Sequence, residues 1–276
     1  MKRRHFLVTA SAIAGSALFP RRAQAARLDR IGVQLYTVRS LMAADMDRTL
    51  ALVAEIGYRD VEFAGLFGRK PSDVRRRLDA LGLRAPSTHV GLEALEGDAL
   101  ARTIDEAHAL GHETVILPWL PPATLRSVEG IDSYLPRFAA IGERCRAAGL
   151  RFAYHNHGAE VRPVDGVRPL DRWLGRTDPT VVAFQLDVYW TVLGGADPLD
   201  YFARFPRRFV SLHVKDSGGP PGHEMRDVGA GRIDWGAILR RRERAGVRHV
   251  FVEHDEPADP VRSIRASYQA LAALDI

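Results

Sequence analysis

Cysteine is almost missing from this sequence of 276 residues, and Cys145 is the single example. One thiol excludes a disulfide within the chain, so this is not a small fold held together by disulfides. Cys145 is expected to be a buried structural thiol.

The apolar stretch near the N-terminus, which ends at Phe19, is too short to cross a bilayer, so no stable membrane anchor is expected.

An excess of charge is also missing from most of the chain. The sequence holds 39 basic and 34 acidic residues, a net charge of +5. Residues 1–25 contain five of the basic residues and none of the acidic ones, so the remaining residues carry no net charge. This balance argues against a nucleic-acid partner, because such proteins bind phosphates through a basic surface.

The N-terminus reads as an export signal. Residues 1–25 are "MKRRHFLVTASAIAGSALFPRRAQA", in which the pair Arg3 and Arg4 precedes Phe6 and an apolar stretch, and Ala-Gln-Ala closes the segment. This order is typical of a twin-arginine signal peptide with its cleavage site. The sequence therefore predicts a periplasmic or secreted protein whose mature chain covers residues 26–276.

Replacement of both Arg3 and Arg4 by lysine is expected to hold the protein in the cytoplasm, because this export route reads the arginine pair. N-terminal sequencing of periplasmic material should find a start near Ala26. An intact Met1 there would contradict the prediction.

A repeated local design predicts the fold. Five times, an amphipathic segment ends in a glycine and a short extended segment follows, with the glycines at Gly57, Gly82, Gly111, Gly149 and Gly246. Glycine suits the left-handed residue that ends a helix, and the following segments are rich in β-formers. Helix followed closely by strand, over and over, is a parallel α/β pattern.

About eight strands are expected, from "IGVQLY" near the start to "HVFVEH" near the end. Single helices are expected between them, "IDSYLPRFAAIGERCRAA" and "WGAILRRRERA" among them. Eight strand–helix units in about 250 residues have the size of a (β/α)8 TIM barrel, one domain following the signal peptide. An open doubly wound sheet is disfavoured, because no glycine-rich phosphate turn follows the first strand.

Polar residues cluster at the predicted strand ends, where barrel active sites are built. They are Gln34, Glu62, His89, His155, His157, Glu160, Asp187, His213, Lys215, Glu253 and His254. Taken singly, Asp187 suits a turn cap, His213 a core imidazole and Glu253 a rim ion pair. Together, three consecutive strands offer carboxylate, imidazole and carboxylate, which indicates a site for one divalent cation, Mn²⁺, Mg²⁺, Co²⁺ or Zn²⁺.

The motifs "GVQLYTVR", "VEFAG", "YHNHGAEV", "LDVYW", "HVKD", "VGAGRIDW" and "VEHDEP" extend over nearly the whole predicted mature chain. In these motifs the chain resembles the xylose-isomerase-like barrel superfamily, and within it exported proteins named sugar phosphate isomerase/epimerase. The resemblance implies a divalent metal held by four side chains from the fifth to the eighth strand. Asp187, His213 and Glu253 match three of them. The fourth is either Glu160, which is favoured, or His155.

The expected chemistry is proton abstraction from a sugar or keto-sugar through an enediolate, giving isomerisation, epimerisation or elimination. Glu253, His155 and His157 are candidate bases, and Lys215 is placed to stabilise the enediolate oxygen. Substrate contacts are expected from Gln34, Glu62, His89, Trp190, His223 and Arg226, with Glu224 beside the last two. An exported protein favours an unphosphorylated sugar or a 3-keto-glycoside, the latter as substrate of a lyase or hydratase.

Two other classes of function fit the sequence less well. A metal-dependent endonuclease would share the barrel, but it would need more metal ligands and a basic groove. A non-catalytic periplasmic sugar-binding protein would tolerate a degenerate site, whereas the ligand set here is almost complete.

Overall fold

The computed structural model describes residues 27–276. The predicted signal peptide lies outside these residues, so its prediction stays untested. Among the described residues, no helix is both long and apolar enough to cross a membrane.

Eight parallel strands close into a barrel, which confirms the predicted fold class. Each strand pairs with its neighbours in chain order, and the last strand pairs with the first. The barrel strands are β1 Gly32–Gln34, β2 Asp60–Phe63, β3 Arg84–His89, β4 Thr114–Leu117, β5 Arg151–His155, β6 Val182–Asp187, β7 Phe209–Val214 and β10 His249–Val252. Alternate residues face the barrel interior and the surrounding helices, and both faces are buried, as parallel sheets require.

Helices surround the barrel and end where the sequence predicts. All five predicted glycines have positive φ, from 65° at Gly82 to 125° at Gly57. The helices are α1 Arg39–Ala44, α2 Met46–Ile56, α3 Pro71–Leu81, α4 Ala99–Leu110, α5 Val128–Asp132, α6 Tyr134–Ala147, α7 Pro169–Arg176, α8 Val188–Leu193, α9 Pro198–Arg204, α10 Trp235–Leu239, α11 Arg242–Ala245 and α12 Pro260–Ala272. Short 3-10 turns cover Leu35–Val38, Leu92–Leu95 and Pro122–Arg126.

Two predicted single helices are each divided, which corrects the sequence analysis. The first breaks at Ser133 into α5 and α6, and Pro136 lies in the first turn of α6. Proline lacks the N–H that a continuous helix would use there, so a new helix starts instead. The second divides at Arg240 and Arg241 into α10 and α11.

The long connection after β7 contains a small antiparallel hairpin, β8 Asp216–Ser217 with β9 Met225–Arg226. The buried Asp216 carboxylate holds the connection in place. It accepts hydrogen bonds from the backbone N–H groups of Ser217 at 2.8 Å, Gly229 at 2.9 Å and Ile233 at 3.1 Å, and from the Trp235 indole at 3.1 Å. The motifs "HVKD" and "VGAGRIDW" are therefore joined by one side chain.

Asp216→Asn is expected to destabilise the protein by about 2–3 kcal/mol, because an amide nitrogen would face donors that now bind a carboxylate. Urea unfolding measures the loss. Asp234→Asn is the matched control and should cost little, since Asp234 caps α10 through the Ala237 N–H at 2.8 Å and asparagine caps a helix about as well as aspartate. Equal losses of unfolding free energy in the two variants would contradict the role of Asp216 in holding this connection.

Candidate functional site

The structure brings Asp187, His213 and Glu253 together at the carboxyl end of the barrel. Asp187 ends β6 and pairs directly with His213 on β7, and Glu253 follows β10. His213 Nδ1 lies 2.6 Å from Glu253 Oε2 and 4.0 Å from Asp187 Oδ2. One donor atom from each residue lies within 4.8 Å of the others, and all three side chains are buried. These donors could hold a single divalent cation.

The two oxygens of the Asp187 carboxylate differ in their hydrogen bonding. Its Oδ1 accepts from the Trp190 N–H at 2.9 Å and caps α8. Its buried Oδ2 accepts no hydrogen bond from the described residues. Burial raises the pKa of Asp187 to about 6, although Lys215 and His213 act to lower it. Its nearest charged neighbour is the Lys215 ammonium, whose Nζ lies 3.0 Å from Oδ2. Because Oδ2 accepts no hydrogen bond, it keeps its lone pairs for a cation, so the donor set fits a metal ion.

Lys215 lies among three carboxylates. Its Nζ is 2.7 Å from Glu253 Oε2, 2.7 Å from Asp255 Oδ1 and 3.0 Å from Asp187 Oδ2. The contact with Asp255 is a hydrogen bond, and that with Asp187 lacks hydrogen-bond geometry. Burial lowers the pKa of Lys215, but Asp187, Glu253 and Asp255 more than offset this and raise it. Burial raises the pKa of Glu253, but Lys215 and His213 reverse this and hold it low. The pair is therefore an ammonium and a carboxylate.

His213 is fixed from below by Glu62. His213 Nε2 lies 2.5 Å from Glu62 Oε1. Burial lowers the pKa of His213, but Glu253 and Glu62 more than offset this and raise it to about 10. Without a cation, His213 is therefore an imidazolium that donates from Nε2 to Glu62 and from Nδ1 to Glu253. A cation at Nδ1 would displace the proton of that nitrogen, while Nε2 would keep its bond to Glu62. A carboxylate behind a ligating histidine is a common arrangement at metal sites.

Glu62 and Gln34 were predicted to touch substrate, and the structure corrects this. Both are fully buried inside the barrel, beneath His89 and His213. Gln34 Nε2 donates to Glu62 Oε1 at 2.8 Å, and Ser87 Oγ donates to Oε2 at 2.5 Å. The sequence indicates that these side chains of β1 and β2 face the barrel interior. It does not indicate whether they reach the cavity or stay buried below it.

Gln185 is the main residue that the sequence analysis missed. Its Nε2 donates to Glu62 Oε2 and to Ser211 Oγ, both at 2.9 Å. Its Oε1 therefore accepts from His89 Nε2 at 2.7 Å and from His155 Nδ1 at 2.9 Å. The sequence did contain a signal for Gln185. It lies two residues before Asp187 on β6, so both side chains face the same side of the strand.

Gln185 fixes the tautomer of His155. With the proton on Nδ1, a neutral His155 keeps its lone pair on Nε2, which lies 3.8 Å from Asp187 Oδ2. Burial holds the pKa of His155 well below its usual value, and the neighbouring His213 and His157 lower it further. His155 is thus a neutral imidazole with its lone pair toward the candidate metal ligands.

The structure does not bring Glu160 to the other candidate ligands. Its Oε1 accepts from Tyr154 Oη at 2.6 Å, and its Oε2 accepts from the His157 N–H at 2.9 Å. Tyr154 and His155 are adjacent on β5, so they face opposite sides of the sheet. Because Glu160 bonds to Tyr154, it lies on the helix side and supports the turn after β5.

A cavity of about 450 Å³ opens above the ligand cluster. Six of the predicted site residues line it: His89, His155, His157, Trp190, Lys215 and Glu253. The ring centroids of His157 and Trp190 are 5.5 Å apart. Burial lowers the pKa of His157 to about 3, helped by Lys215, so its imidazole is neutral.

His223 and Arg226, also predicted to bind substrate, lie elsewhere. His223 lines a separate cavity of about 330 Å³ beyond the hairpin. Arg226 is on β9, more than half exposed, with Nη2 3.8 Å from Glu224 Oε2. The hairpin turns these residues away from the main cavity, which a sequence pattern alone does not reveal.

Residues 50–274 match the sequence model of a protein family described as xylose isomerase-like TIM barrel. The chain belongs to the xylose isomerase-like TIM barrel family. The family suggested by the sequence motifs is thereby confirmed. Since this fold hosts many chemistries, family membership leaves the reaction to be argued from the site.

Two solved structures and one curated relative show how this xylose isomerase-like barrel compares. An inosose dehydratase from Geobacillus kaustophilus (strain HTA426) is 26% identical over 194 residues, 62% of this chain and 61% of that protein. The match thus spans about three fifths of the relative's length. A sugar phosphate isomerase/epimerase from Parabacteroides distasonis ATCC 8503 superposes with a TM-score of 0.75 at 25% identity, covering 95% of this chain and 99% of the other.

The second structure is an IolI protein with a bound zinc atom. It superposes with a TM-score of 0.67, covering 87% of this chain and 96% of that chain. The identity is 15%, so the likeness shows the shared xylose isomerase-like barrel and nothing finer.

Proposed function

We propose that this protein binds one divalent cation and removes a proton next to the carbonyl of a keto-sugar or related polyhydroxylated ring ketone. Asp187, His213 and Glu253 would hold the cation, with His155 as the fourth ligand. The observation that carries the proposal is the buried Asp187 Oδ2, which accepts no hydrogen bond and lies 3.8 Å from His155 Nε2 and 4.0 Å from His213 Nδ1. The Lys215 ammonium, 3.0 Å from the same oxygen, would share it with the cation. The zinc atom in the IolI structure is consistent with a metal in this fold.

When bound, the cation would polarise the substrate carbonyl as a Lewis acid. His157 is the best placed base, because its neutral ring lines the cavity and forms no hydrogen bond to the described residues. Lys215 supplies N–H donors for the oxygen on which negative charge develops. Trp190 lines the cavity next to His157 and Lys215.

Elimination of water is the favoured outcome, because the curated relative is named inosose dehydratase. The leaving hydroxyl needs a proton, and His157 can return to it the proton that it removed from the substrate. Isomerisation or epimerisation is the second candidate, supported by the name of the Parabacteroides protein. The two outcomes share the proton abstraction and differ only in where the enediolate electrons go.

The substrate is proposed to be unphosphorylated. The cavity lining contains three carboxylates, Glu253, Asp255 and Glu256, and a single ammonium, Lys215, which Glu253 and Asp255 already contact. A phosphate would find no free Arg or Lys among these lining residues. Export through the predicted signal would also place the protein away from the cytoplasmic pool of sugar phosphates.

The proposal is tested with metal-loaded protein, an inosose and 3-keto-glucose in D₂O. Proton NMR is expected to show deuterium incorporated beside the carbonyl, and ultraviolet absorbance to show an enone if water is lost. Exchange without an enone would favour epimerisation. If the metal-loaded protein exchanges no proton in either ketone, the proposed function is wrong, and binding alone would favour the sugar-binding alternative.

His155→Ala is expected to lower the bound metal and the turnover together, because it removes a neutral nitrogen that faces Asp187 Oδ2. Glu160→Gln should keep the metal and lower the melting temperature, since Glu160 bonds to Tyr154 and the His157 N–H. Metal analysis by mass spectrometry and calorimetry distinguish the two residues. Loss of metal in Glu160→Gln with retention in His155→Ala would reverse the assignment.

A further inference from the structure

Three large apolar side chains are strongly exposed among the described residues: Tyr36 at 43%, Phe67 at 45% and Trp119 at 55%. Each follows a barrel strand, β1, β2 or β4, so all three lie at the end of the barrel that carries the site. Tyr36 and Trp119 line the same cavity as His155, Lys215 and Glu253, whereas Phe67 does not. Exposed aromatic side chains beside a polar cavity commonly contact a ligand.

Tyr36 and Trp119 bracket the reactive part of the barrel. Around the barrel, the strands that carry the candidate ligands follow one another as β10, β7, β6 and β5. Tyr36 follows β1, which is next to β10, and Trp119 follows β4, which is next to β5. The two aromatic rings therefore stand on opposite flanks of the same opening.

Neighbouring residues restrain Tyr36, and the chain around Trp119 is rich in proline. Gln34 Oε1 accepts from the Tyr36 N–H at 3.0 Å, and the Arg39 guanidinium lies 4.1 Å from the Tyr36 ring centroid. Arg39 Nη1 is itself bound to the Asp255 carbonyl oxygen at 2.7 Å. Trp119 lies between Pro118 and the buried Leu120, and two more prolines follow. Proline fixes its own φ, so this loop has little freedom.

We propose that Tyr36 and Trp119 form an outer subsite that binds a second six-membered ring of the substrate. The reacting ketone would then be part of a glycoside, with its second ring above the cation cluster and against the two aromatic faces. This inference rests on the proposed function and adds the size class of its substrate. A pyranose and an aromatic aglycone share the required chemistry, a flat ring face that packs on an aromatic side chain.

The polar groups at the same opening suit a ring that carries hydroxyls. Asp255 and Glu256 line the cavity, and Glu256 is exposed. Carboxylates accept hydrogen bonds and donate none when ionised, so they pair with hydroxyl groups and repel anions. A second ring that carries hydroxyl groups and no negative charge therefore suits this opening.

The test measures binding of three unreactive ligands, methyl β-glucoside, cellobiose and phenyl β-glucoside, by calorimetry on metal-loaded protein. The wild type is expected to bind a two-ring ligand about tenfold more tightly than the methyl glycoside, the effect of one good aromatic contact. Trp119→Ala and Tyr36→Ala should each reduce this ratio, and Trp119→Phe should retain most of it. Phe67→Ala, an exposed aromatic outside the cavity, is the matched control and should leave the ratio unchanged.

The arms of the experiment separate the possible results. A preference for cellobiose over phenyl β-glucoside assigns the subsite to a sugar ring, and the reverse assigns it to an aromatic aglycone. No preference for two rings in the wild type, or an equal ratio in Trp119→Ala, overturns the subsite. A change of sedimentation in Trp119→Ala without a change of the ratio also overturns it, because it would make this face a contact between copies.

Failure of the subsite and failure of the proposed function look different. If the ring preference is present but no ketone exchanges a proton, the subsite stands and the reaction is wrong. If single-ring ketones exchange protons while the ring preference is absent, the reaction stands and the subsite is wrong. With 3-keto-glycosides, Trp119→Ala should raise KM for two-ring substrates, whereas Phe67→Ala, outside the cavity, should leave that KM unchanged.

Discussion

Asp187→Asn is expected to reduce turnover by on the order of a thousandfold and to leave the purified protein with little divalent cation. The amide keeps the shape of the side chain and can still accept from the Trp190 N–H. It removes the negative charge of Oδ2, the buried oxygen without a hydrogen bond. A bound cation contributes several kcal/mol to charge stabilisation, and about 1.4 kcal/mol corresponds to a tenfold change in rate.

The measurements are metal content, deuterium exchange into substrate and the melting temperature. Asp255→Asn is the matched control, because Asp255 also contacts Lys215 but lies outside the group of candidate ligands. It should retain the metal. Chelation of the wild type by EDTA should abolish exchange, and added Mn²⁺ or Co²⁺ should restore it. If chelated protein exchanges substrate protons as fast as untreated protein, the metal has no part in the reaction.

The barrel could be predicted because its signals are local. The five glycines that end helices follow from the left-handed conformation needed there, and all five have positive φ. The strand ends follow from where apolar alternation gives way to Asp187, His213 or His155. The two divided helices were missed, because Ser133 and Arg240 interrupt segments whose apolar periodicity continues across the break.

The candidate site could be predicted only in part. How deeply a side chain is buried, and which way it points, depends on the closed barrel. Adjacent strands had to bring Asp187 beside His213, so this contact was readable from the chain order. The position of the Glu160 side chain depends on the turn after β5. This turn brings Glu160 to Tyr154, on the outer side of β5. Gln185 was overlooked because an amide inside a strand carries no motif, although it binds two histidines at once.

The second large effect is expected for Lys215→Met. In the described structure, the Lys215 ammonium balances Asp187, Glu253 and Asp255. Removal of one partner from a buried cluster of charges costs about 3–5 kcal/mol, since the remaining charges repel each other and lack solvent. For a chain of this size the melting temperature of the metal-free variant should fall by roughly 10 °C.

A divalent cation should reverse most of this loss, because it would supply positive charge to Asp187 and Glu253. In the wild type the same cation meets carboxylates that an ammonium already contacts, so its stabilising effect should be smaller. Lys70→Met is the matched control, because Lys70 is exposed and does not line the cavity. Scanning calorimetry with and without Mn²⁺ on all three proteins gives the comparison.

The comparison separates two roles of Lys215. If Mn²⁺ raises the melting temperature of Lys215→Met more than that of the wild type, the ammonium and the cation share the same carboxylates. If the two increments are equal, the cation binds elsewhere and the proposed ligand set is wrong. Metal-saturated Lys215→Met should be folded and should still exchange protons slowly, because the donor facing the developing oxyanion is gone. Full activity in that protein would remove Lys215 from the reaction and leave it only the role of balancing charge.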